Sequence, residues 1–569
     1  MSATAFLRPT SAWVALPLAA TIGLIYAIAL LGPGVAAGTS DFWLLPAGLS
    51  GGLVDIKVAL SGYYWAVQDN WRWPLLHAMQ PDPPDGLNLF LLDPVPILAL
   101  TGKTIRSLTG VVVNLFPVWV TATFALNSLA LAALVRAFGQ RSVLAAMLAG
   151  GMGALAPVIH NRFGHVGHSA HWEFILALAL CVGRPKNMTL AAMAILGLCI
   201  LAAATNLYLY VMTAAIAAAF FVQAAFDRAM PIIWSIAGTI AVPASGLLLL
   251  TAFGVFGSAS LAAETIPFGR DSMNLLAPFW PQTSGIFAWT GLYLLTRGSI
   301  GATPGQYEGY CYLGIGALIL CAVALIAHRR SLPALIRRNW VLALALLTLS
   351  AWALSNTIYL GPVRIVSYPL PTWLLSTVLA WFRSEGRMFW PVAWFLVGLG
   401  IAGTLSVLPP RWALVVSAIV LSLQWIDVAP WRGRIHDLVE GPPVSVFGSL
   451  TDALVVETMI ARHHRVVLVP SFDCNENGGG DYGAASTIAA AEVQLFAART
   501  NAEMPSVSAA RGAPDCARAR DTPLRNLAGS GVLIALAQPG NLDRLAETRN
   551  TLDCQNLRVG LICTAPAEK

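Results

Sequence analysis

The sequence predicts a mainly α-helical membrane protein: a polytopic bundle of about eleven transmembrane helices, followed by a small extracytoplasmic α/β domain. Three observations predict this fold class. The 569-residue chain is 57% hydrophobic and only 11% charged, whereas a soluble domain carries about 25% charged residues. The mean hydropathy is +0.68. After residue 430 the long apolar stretches give way to shorter ones, so we divide the chain into domains 1–430 and 431–569.

The first domain contains apolar stretches of the length that crosses a bilayer, about 20 residues. The first stretch is too long for a cleaved signal peptide and has no convincing small-residue cleavage site, so we expect a retained span. The predicted spans lie near 12–32, 113–135, 142–159, 169–183, 188–204, 206–226, 232–254, 309–327, 340–356, 389–408 and 412–428.

The short loops predict the orientation, because Lys and Arg concentrate in cytoplasmic loops. With the N-terminus inside, the alternation of basic loops holds along the whole chain. An odd number of spans then places the C-terminus outside. We therefore expect a multi-pass protein of the bacterial inner membrane with a periplasmic C-terminal domain. The net charge of +6 is spread over loops rather than gathered on one soluble face, so no nucleic-acid partner is expected.

Three long loops are predicted on the outer side, at 33–112, 255–308 and 357–388. Long connections in compact proteins usually serve function, so we expect the chemistry at this face. The first loop is rich in Trp and Tyr, which suits helices lying in the headgroup plane or a simple aromatic belt.

The C-terminal segment reads as alternating strands and helices, which predicts a small α/β domain. No catalytic motif is recognised in it. The predicted elements are a strand at 464–470, a helix at 484–499, a strand at 531–537, a helix at 542–549 and a strand at 557–563.

Four cysteines, Cys474, Cys516, Cys554 and Cys563, lie in this segment. In an oxidising compartment they predict two disulfides. Cys554 with Cys563 is the preferred pair, closing a hairpin, which leaves Cys474 with Cys516. Free thiols are the alternative, and a zinc site is disfavoured because no CxxC occurs.

Two acids of the first outer loop are candidate catalytic residues. Asp55 lies in the otherwise apolar stretch GGLVDIKVALSGYYW, where burial would raise its pKa and prepare it to act as a base. Asp93 directly precedes an apolar run. It is either a second site residue or the N-cap of a helix that begins with Pro.

A histidine cluster occurs in NRFGHVGHSAHWE, residues 161–173, where His165, His168 and His171 are spaced three apart. On a helix they would share one face. Three interpretations remain open. The histidines bind a phosphate or substrate together with Arg162, or they bind zinc. Alternatively, they belong to the start of an interfacial helix in which each histidine has its hydrogen-bond partners.

Two arginines, Arg383 and Arg387, lie in WFRSEGRMFWP on the outer side of a predicted span. A guanidinium binds phosphate with two parallel hydrogen bonds, which suits a lipid-linked phosphate. Snorkelling to headgroups is the alternative. Because outer arginines run against the positive-inside rule, we favour function. Asn274 and Glu308, in the second long loop, are weaker candidates.

Several of these segments together resemble an uncharacterised family of bacterial membrane proteins assigned to the GT-C type of glycosyltransferase. The resemblance covers roughly residues 40–565. It rests on GLVDIKVALSGYYWAVQDNWRWPL, LLDPVPILALTGK, RFGHVGHSAHW, SMNLLAPFWP, QYEGYCYLG, FRSEGRMFWP and LFAARTNAEMPSVSAAR.

The resemblance implies an enzyme that uses a polyprenyl-phosphate-linked sugar at the outer membrane surface, with an acidic base in the first outer loop. Asp55 would be that base and Asp93 a second acid. Arg387 would hold the donor phosphate, with His168 and Glu308 lining the site.

The sequence departs from the family pattern at two places, and neither removes a chemical group assigned above. Glu385 stands where a small residue is expected, and Pro94 follows Asp93 where a serine is expected. The acids allow a divalent metal, Mg²⁺ or Mn²⁺, but no spacing requires one, and no other cofactor is expected.

We therefore expect a glycosyltransferase that moves a sugar from a polyprenyl phosphate to an envelope glycan or glycolipid. One carboxylate and one or two cations suffice for this reaction, and no nucleotide-binding signature is present. A flippase or transporter of lipid-linked sugars is one alternative, and it would need polar residues at midplane depth. A non-catalytic envelope-assembly protein is the other, and it would need no acid in the first loop.

Overall fold

The structure is a computed structural model that describes residues 9–46, 52–257, 267–290, 299–377, 379–443, 445–469 and 484–505, together with 507, 531–536, 546, 552–558 and 560–564. The protein is mainly helical, and its helices form a bundle that carries a small strand-containing C-terminal region. The helices in the N-terminal half are α1 (Ala12–Ala37), α2 (Gly52–Gln68), α3 (Pro96–Thr109), α4 (Phe116–Ala137), α5 (Val143–Ala154), α6 (Pro157–Asn161), α7 (Trp172–Gly183), α8 (Met188–Thr205), α9 (Leu207–Phe226) and α10 (Ile232–Ala252).

The second half continues with helices that lead into the C-terminal domain. They are α11 (Ile315–His328), α12 (Leu332–Arg338), α13 (Trp340–Leu354), α14 (Thr372–Thr377), α15 (Trp390–Val407), α16 (Pro410–Asp427), α17 (Ala429–Glu440), α18 (Leu450–His463) and α19 (Ala484–Arg499).

Every predicted span lies on a helix, but the number able to cross a membrane is lower than about eleven. Among the described residues, 8 helices are long and apolar enough, or up to 10 if each bent pair counts as one span. The bent pairs are α11 with α12, at 96°, and α16 with α17, at 53°. The predicted span at 340–356 forms α13, an apolar helix of 15 residues, which is short for a crossing.

The short basic loops meet at one end of the bundle. Arg184 donates a hydrogen bond to the carbonyl of Arg338 and lies 3.1 Å from Asp227. Arg136, at the end of α4, donates to the carbonyl of Thr10. The opposite ends of α4 and α9 adjoin the histidine cluster and the Arg383–Arg387 segment. The folded chain therefore sorts the basic loops and the candidate site residues to opposite ends, as the loop pattern predicted.

The first long loop is folded into helices and a short hairpin. α2 packs against α3 and against the C-terminal helix α19, and β1 (His77–Ala78) pairs with β2 (Leu87–Asn88). Tyr63 and Trp65 are fully buried, so these two aromatic residues contribute to packing. Trp71 and Trp73 remain exposed.

The C-terminal domain contains a four-stranded sheet in the order β5-β6-β8-β7, from strands β5 (Val466–Val469), β6 (Val532–Leu536), β7 (Asp553–Leu557) and β8 (Gly560–Thr564). β5 and β6 are parallel, and the remaining pairs are antiparallel. β3 (Thr357–Leu360) and β4 (Val363–Ser367) form a separate hairpin in the third long loop. The predicted last strand at 557–563 corresponds to β8, which begins only at Gly560, and a turn at residue 558 separates it from β7, a strand that was not predicted.

The predicted disulfide between Cys554 and Cys563 is confirmed, and it joins cross-strand neighbours on β7 and β8. Cys474 and Cys516 lie outside the described residues, as does nearly all of the predicted helix at 542–549. The four remaining cysteines are free and lie in or beside the bundle helices: Cys181, Cys199, Cys311 and Cys321.

Candidate functional site

Two buried arginines converge on one carboxylate at the centre of the site. Arg387 Nη2 lies 2.6 Å from Glu308 Oε2, and Arg162 Nη1 lies 2.8 Å from the same oxygen. Arg162 also donates to the carbonyl of Glu308 at 2.6 Å. Burial would raise the pKa of Glu308, but the two guanidinium groups hold it well below its usual range. Two cations and one anion leave this cluster with a net positive charge.

Arg387 also fixes the state of His168. Its Nη1 lies 2.7 Å from His168 Nε2. Because a guanidinium can only donate, Nε2 must accept, and the imidazole is therefore neutral with its proton on Nδ1. Nδ1 faces Asp93 Oδ2 at 3.7 Å. The ring of Tyr208 lies 5.0 Å from the Arg387 guanidinium carbon, within the range of a cation–π contact.

Asp93 is not a helix N-cap, and it lies within the candidate site. The helix α3 begins at Pro96, with Val95 in the cap position. Asp93 instead ends a 3-10 turn with a φ of 53°, a left-handed conformation uncommon for residues other than glycine. Its Oδ1 accepts a hydrogen bond from Asn206 Nδ2 at 3.1 Å. Burial raises the pKa of Asp93 to about 6, against the opposing effects of Asn206 and Arg387.

Asp55 reaches the same site from α2, and its Oδ2 lies 3.2 Å from His165 Nε2. The side chain of Asp55 is 48% exposed, so the prediction that it is buried in an apolar setting is wrong. The pKa of His165 is lowered, because burial outweighs the attraction of Asp55. A neutral histidine thus stands beside an accessible carboxylate.

The three histidines do not share one helical face. The residues that flank the 3-10 turn Val166–Ser169, His165 and Ala170, have non-helical dihedral angles, and α7 begins only at Trp172, so the three histidines do not lie on one continuous helix. His171 accepts a hydrogen bond from Trp394 Nε1 at 2.8 Å and packs on the ring of Trp390. His171 is thus packed inside the bundle with one ring nitrogen bonded, while its Nε2 has no hydrogen-bond partner among the described residues. In the described part of the chain, no group of three or more His, Cys, Asp or Glu residues is placed to hold a metal.

Asn274 supports the loops around the site. Its amide donates to the carbonyl of Gly361 at 2.8 Å, and its carbonyl oxygen accepts from the Gly361 amide at 2.9 Å. It also donates to Gln306. These bonds hold the turn of the β3–β4 hairpin, so the structure gives Asn274 a supporting role.

Two further acids lie near the arginine cluster, Glu385 on the segment that carries Arg387 and Asp271 on a distant segment that contacts it. Ser384 donates to Asp271 Oδ2 at 3.2 Å, and Glu385 accepts from the amide of Gly269 at 2.6 Å. Burial and the nearby Glu308 raise the pKa of Asp271. Arg383 acts electrostatically on both Asp93 and Asp271. Glu385 therefore anchors the segment around Gly269.

Sequence reasoning missed Asn206 and Tyr208. Asn206 interrupts the apolar run between α8 and α9 and caps α9 by accepting from the Tyr208 amide at 2.9 Å. Its side-chain amide is thereby turned toward Asp93. Tyr208 OH accepts from the amide of Ser384 at 3.0 Å. The sequence signal that could have identified Asn206 is its position as a polar residue between two apolar spans.

The arrangement offers an accessible carboxylate, a second carboxylate of raised pKa and a positive cluster, from separate segments of the chain. Residues 20–429 match the family described as a domain of unknown function, DUF6311. No match was found among curated proteins or among solved structures. Because the matched region spans well over half of the chain, this protein belongs to the DUF6311 family.

Proposed function

We propose that this protein is a membrane glycosyltransferase that transfers a sugar from a polyprenyl phosphate to an extracytoplasmic envelope glycan or glycolipid. The observation that supports the proposal is that an accessible carboxylate and buried guanidinium groups lie in one site. Asp55 is half-exposed beside His165, and Asp93 and His168 connect that end of the site to Arg387.

The proposed reaction needs one base and one stabilised leaving group. Asp55 takes the proton from an acceptor hydroxyl, whose oxygen attacks the anomeric carbon of the donor sugar. The bond between that carbon and the phosphate oxygen breaks, and its electron pair stays on the polyprenyl phosphate. Arg387 stabilises the developing charge by donating hydrogen bonds from a buried, prearranged guanidinium.

Asp93 acts on this reaction through His168. When ionised, it attracts the Nδ1 proton of His168 and keeps Nε2 available to accept from Arg387. If Mg²⁺ or Mn²⁺ takes part, Asp55 and Asp93 are the carboxylates that would hold it. Such ions are commonly bound by one or two carboxylates together with substrate phosphates.

The proposed orientation places the site and the C-terminal domain on the periplasmic side of the bacterial inner membrane, with the N-terminus in the cytoplasm. Two observations support it. The basic loops gather at the end opposite the site, and the Cys554–Cys563 disulfide belongs in an oxidising compartment.

The proposal is tested in two steps. Mass spectrometry of envelope glycans from a deletion strain identifies the missing sugar, and transfer of that sugar from its labelled polyprenyl phosphate is then measured in membranes. Asp55→Asn should abolish transfer. The matched control is Asp85→Asn, which neutralises an exposed turn acid of the same loop. Normal transfer by Asp55→Asn membranes would reject the proposed base.

A further inference from the structure

The helix that carries Asp55 lies between the candidate site and the C-terminal domain. Its Lys57 forms an ion pair with Glu492 of α19, with 3.0 Å between Nζ and Oε2. The two side chains are 1% and 0% exposed. Both charges are thus removed from solvent at the contact between two distant parts of the chain.

Such a pair is a poor source of stability, because desolvation of two charges offsets their attraction. A buried ion pair does, however, penalise every alternative arrangement, since any shift that separates the partners leaves an unpaired buried charge. Glu492 is further held by a hydrogen bond from Ser445. The pair therefore specifies one register of α2 against the C-terminal domain.

That register also determines where Asp55 points. Residues two apart on an α-helix are separated by about 200° around its axis, so Asp55 and Lys57 project from nearly opposite faces of α2. Lys57 reaches Glu492 while Asp55 reaches His165. Rotating or sliding α2 would break both contacts together.

The same helix presses on the segment that carries Asp93. A Cβ added at Gly62 of α2 would lie 2.7 Å from Leu92 Cβ and 3.2 Å from Pro94 Cβ. Both values are shorter than ordinary contacts between side chains. The position of α2 therefore bears on both carboxylates of the site.

We propose that Lys57 and Glu492 are positioning residues: through this pair, the C-terminal domain holds α2 in the register that places Asp55 in the site. The catalytic consequence rests on the function proposed above, but the structural claim does not. The C-terminal domain then has a defined task, which is to complete the site from the side opposite the arginines.

The far end of α2 provides a matched control. Gln68 donates to the carbonyl of Ala498 on α19 at 2.7 Å, so it joins the same two helices. It lies 11 residues beyond Lys57, or about 16 Å along the helix axis. Gln68→Ala should loosen the docking without disturbing the end that carries Asp55.

The test is hydrogen–deuterium exchange of peptides that cover α2, residues 52–68, measured on the full chain in detergent for Lys57→Met, Lys57→Arg and Gln68→Ala. A double variant, Lys57→Met with Glu492→Gln, removes both buried charges and should therefore stay folded. We expect at least tenfold faster exchange around Asp55 in Lys57→Met and in the double variant. Lys57→Arg should stay near wild type, and Gln68→Ala should change exchange only at the far end.

Transfer of the sugar identified above is measured on the same samples. A positioning role predicts that kcat falls at least tenfold in the double variant while its unfolding midpoint stays near that of the wild type. Unchanged exchange around Asp55 in the folded double variant would overturn the inference. If exchange rises as expected but Asp55→Asn itself transfers normally, the positioning role stands and the proposed function fails.

Discussion

Arg387 holds His168 in a single tautomer, because its Nη1 lies 2.7 Å from His168 Nε2 and can only donate. This contact connects the guanidinium proposed to bind phosphate with the acid at Asp93. The two ends of the site are thus coupled through one imidazole, and the consequences can be measured.

The first prediction concerns Arg387. Arg387→Lys keeps the charge but loses the planar fork that spans Glu308 and His168, so it is not a conservative change. We expect kcat/KM for sugar transfer to fall about 100-fold, the scale of one lost donor to a developing oxyanion. Transfer in membranes measures this, with Arg434→Lys on α17 as the control. Equal activity of the two variants would contradict the assignment.

The second prediction distinguishes His168 from His171, two histidines whose roles cannot be told apart from their spacing in the sequence. His168→Ala removes the link between Arg387 and Asp93 and should lower transfer about 100-fold. His171→Ala removes a side chain buried against Trp390 and Trp394, so it should lower the unfolding midpoint and leave transfer per folded molecule near normal. Comparable losses of specific activity in both variants would contradict this distinction and indicate that His171 also acts in the site.

The third prediction is a pH dependence of stability. The pKa of Asp93 is raised to about 6 in the fold, so the folded protein binds this proton more tightly than the unfolded chain does. The stability that Asp93 contributes is therefore present at low pH and is lost as pH rises through about 6. Asp93→Asn should raise the unfolding midpoint relative to the wild type at pH 8, and by less at pH 4.5.

The control for this pH series is Asp85→Asn, which should show the same difference from the wild type at both pH values. A second readout is transfer activity. If ionised Asp93 is needed, the wild-type rate increases as pH rises through about 6, and Asp93→Asn lacks that rise. A stability difference of opposite sign would mean that Asp93 is more strongly stabilised as an anion than the structure indicates.

The fourth prediction concerns the disulfide of the C-terminal sheet. Cys554 and Cys563 are 9 residues apart, and opening a loop of that size costs about 2.5 kcal/mol in the chain-entropy model. Cys554→Ser should therefore lower the unfolding midpoint of the C-terminal domain. Denatured, unreduced protein should also gain one maleimide-reactive thiol, from Cys563. A thiol count that instead falls by one would show that Cys554 is not disulfide-bonded in the native protein.

The spans and the C-terminal strands could be predicted because their signals are local. Each is a run of apolar residues of a given length, bounded by polar or basic residues, and burial of such a run depends little on distant sequence. The Cys554–Cys563 pair is local too, because the two residues lie on adjacent strands of one hairpin. The length of α13 was misjudged because composition alone does not mark where the helix ends near Leu354.

The site could be predicted only in part. The acids and arginines were found because charge is conspicuous beside apolar spans. The histidine spacing misled because residues three apart share a face only on a continuous helix, and the backbone leaves helical geometry at His165 and Ala170. Asn206 was missed because its only signal is a polar residue at the break between two apolar helices. The partner of Lys57 was missed because it lies 435 residues away in the sequence. No local pattern reports such a contact.

That separation also sets an order of events during synthesis. Lys57 is made early and Glu492 near the end, so the Lys57 charge lacks its partner while the intervening helices are made. A chain that stopped after residue 430 could insert its whole bundle and still lack a settled first-loop helix. The register of α2 would therefore be set only when the last-made domain folds back onto one of the first.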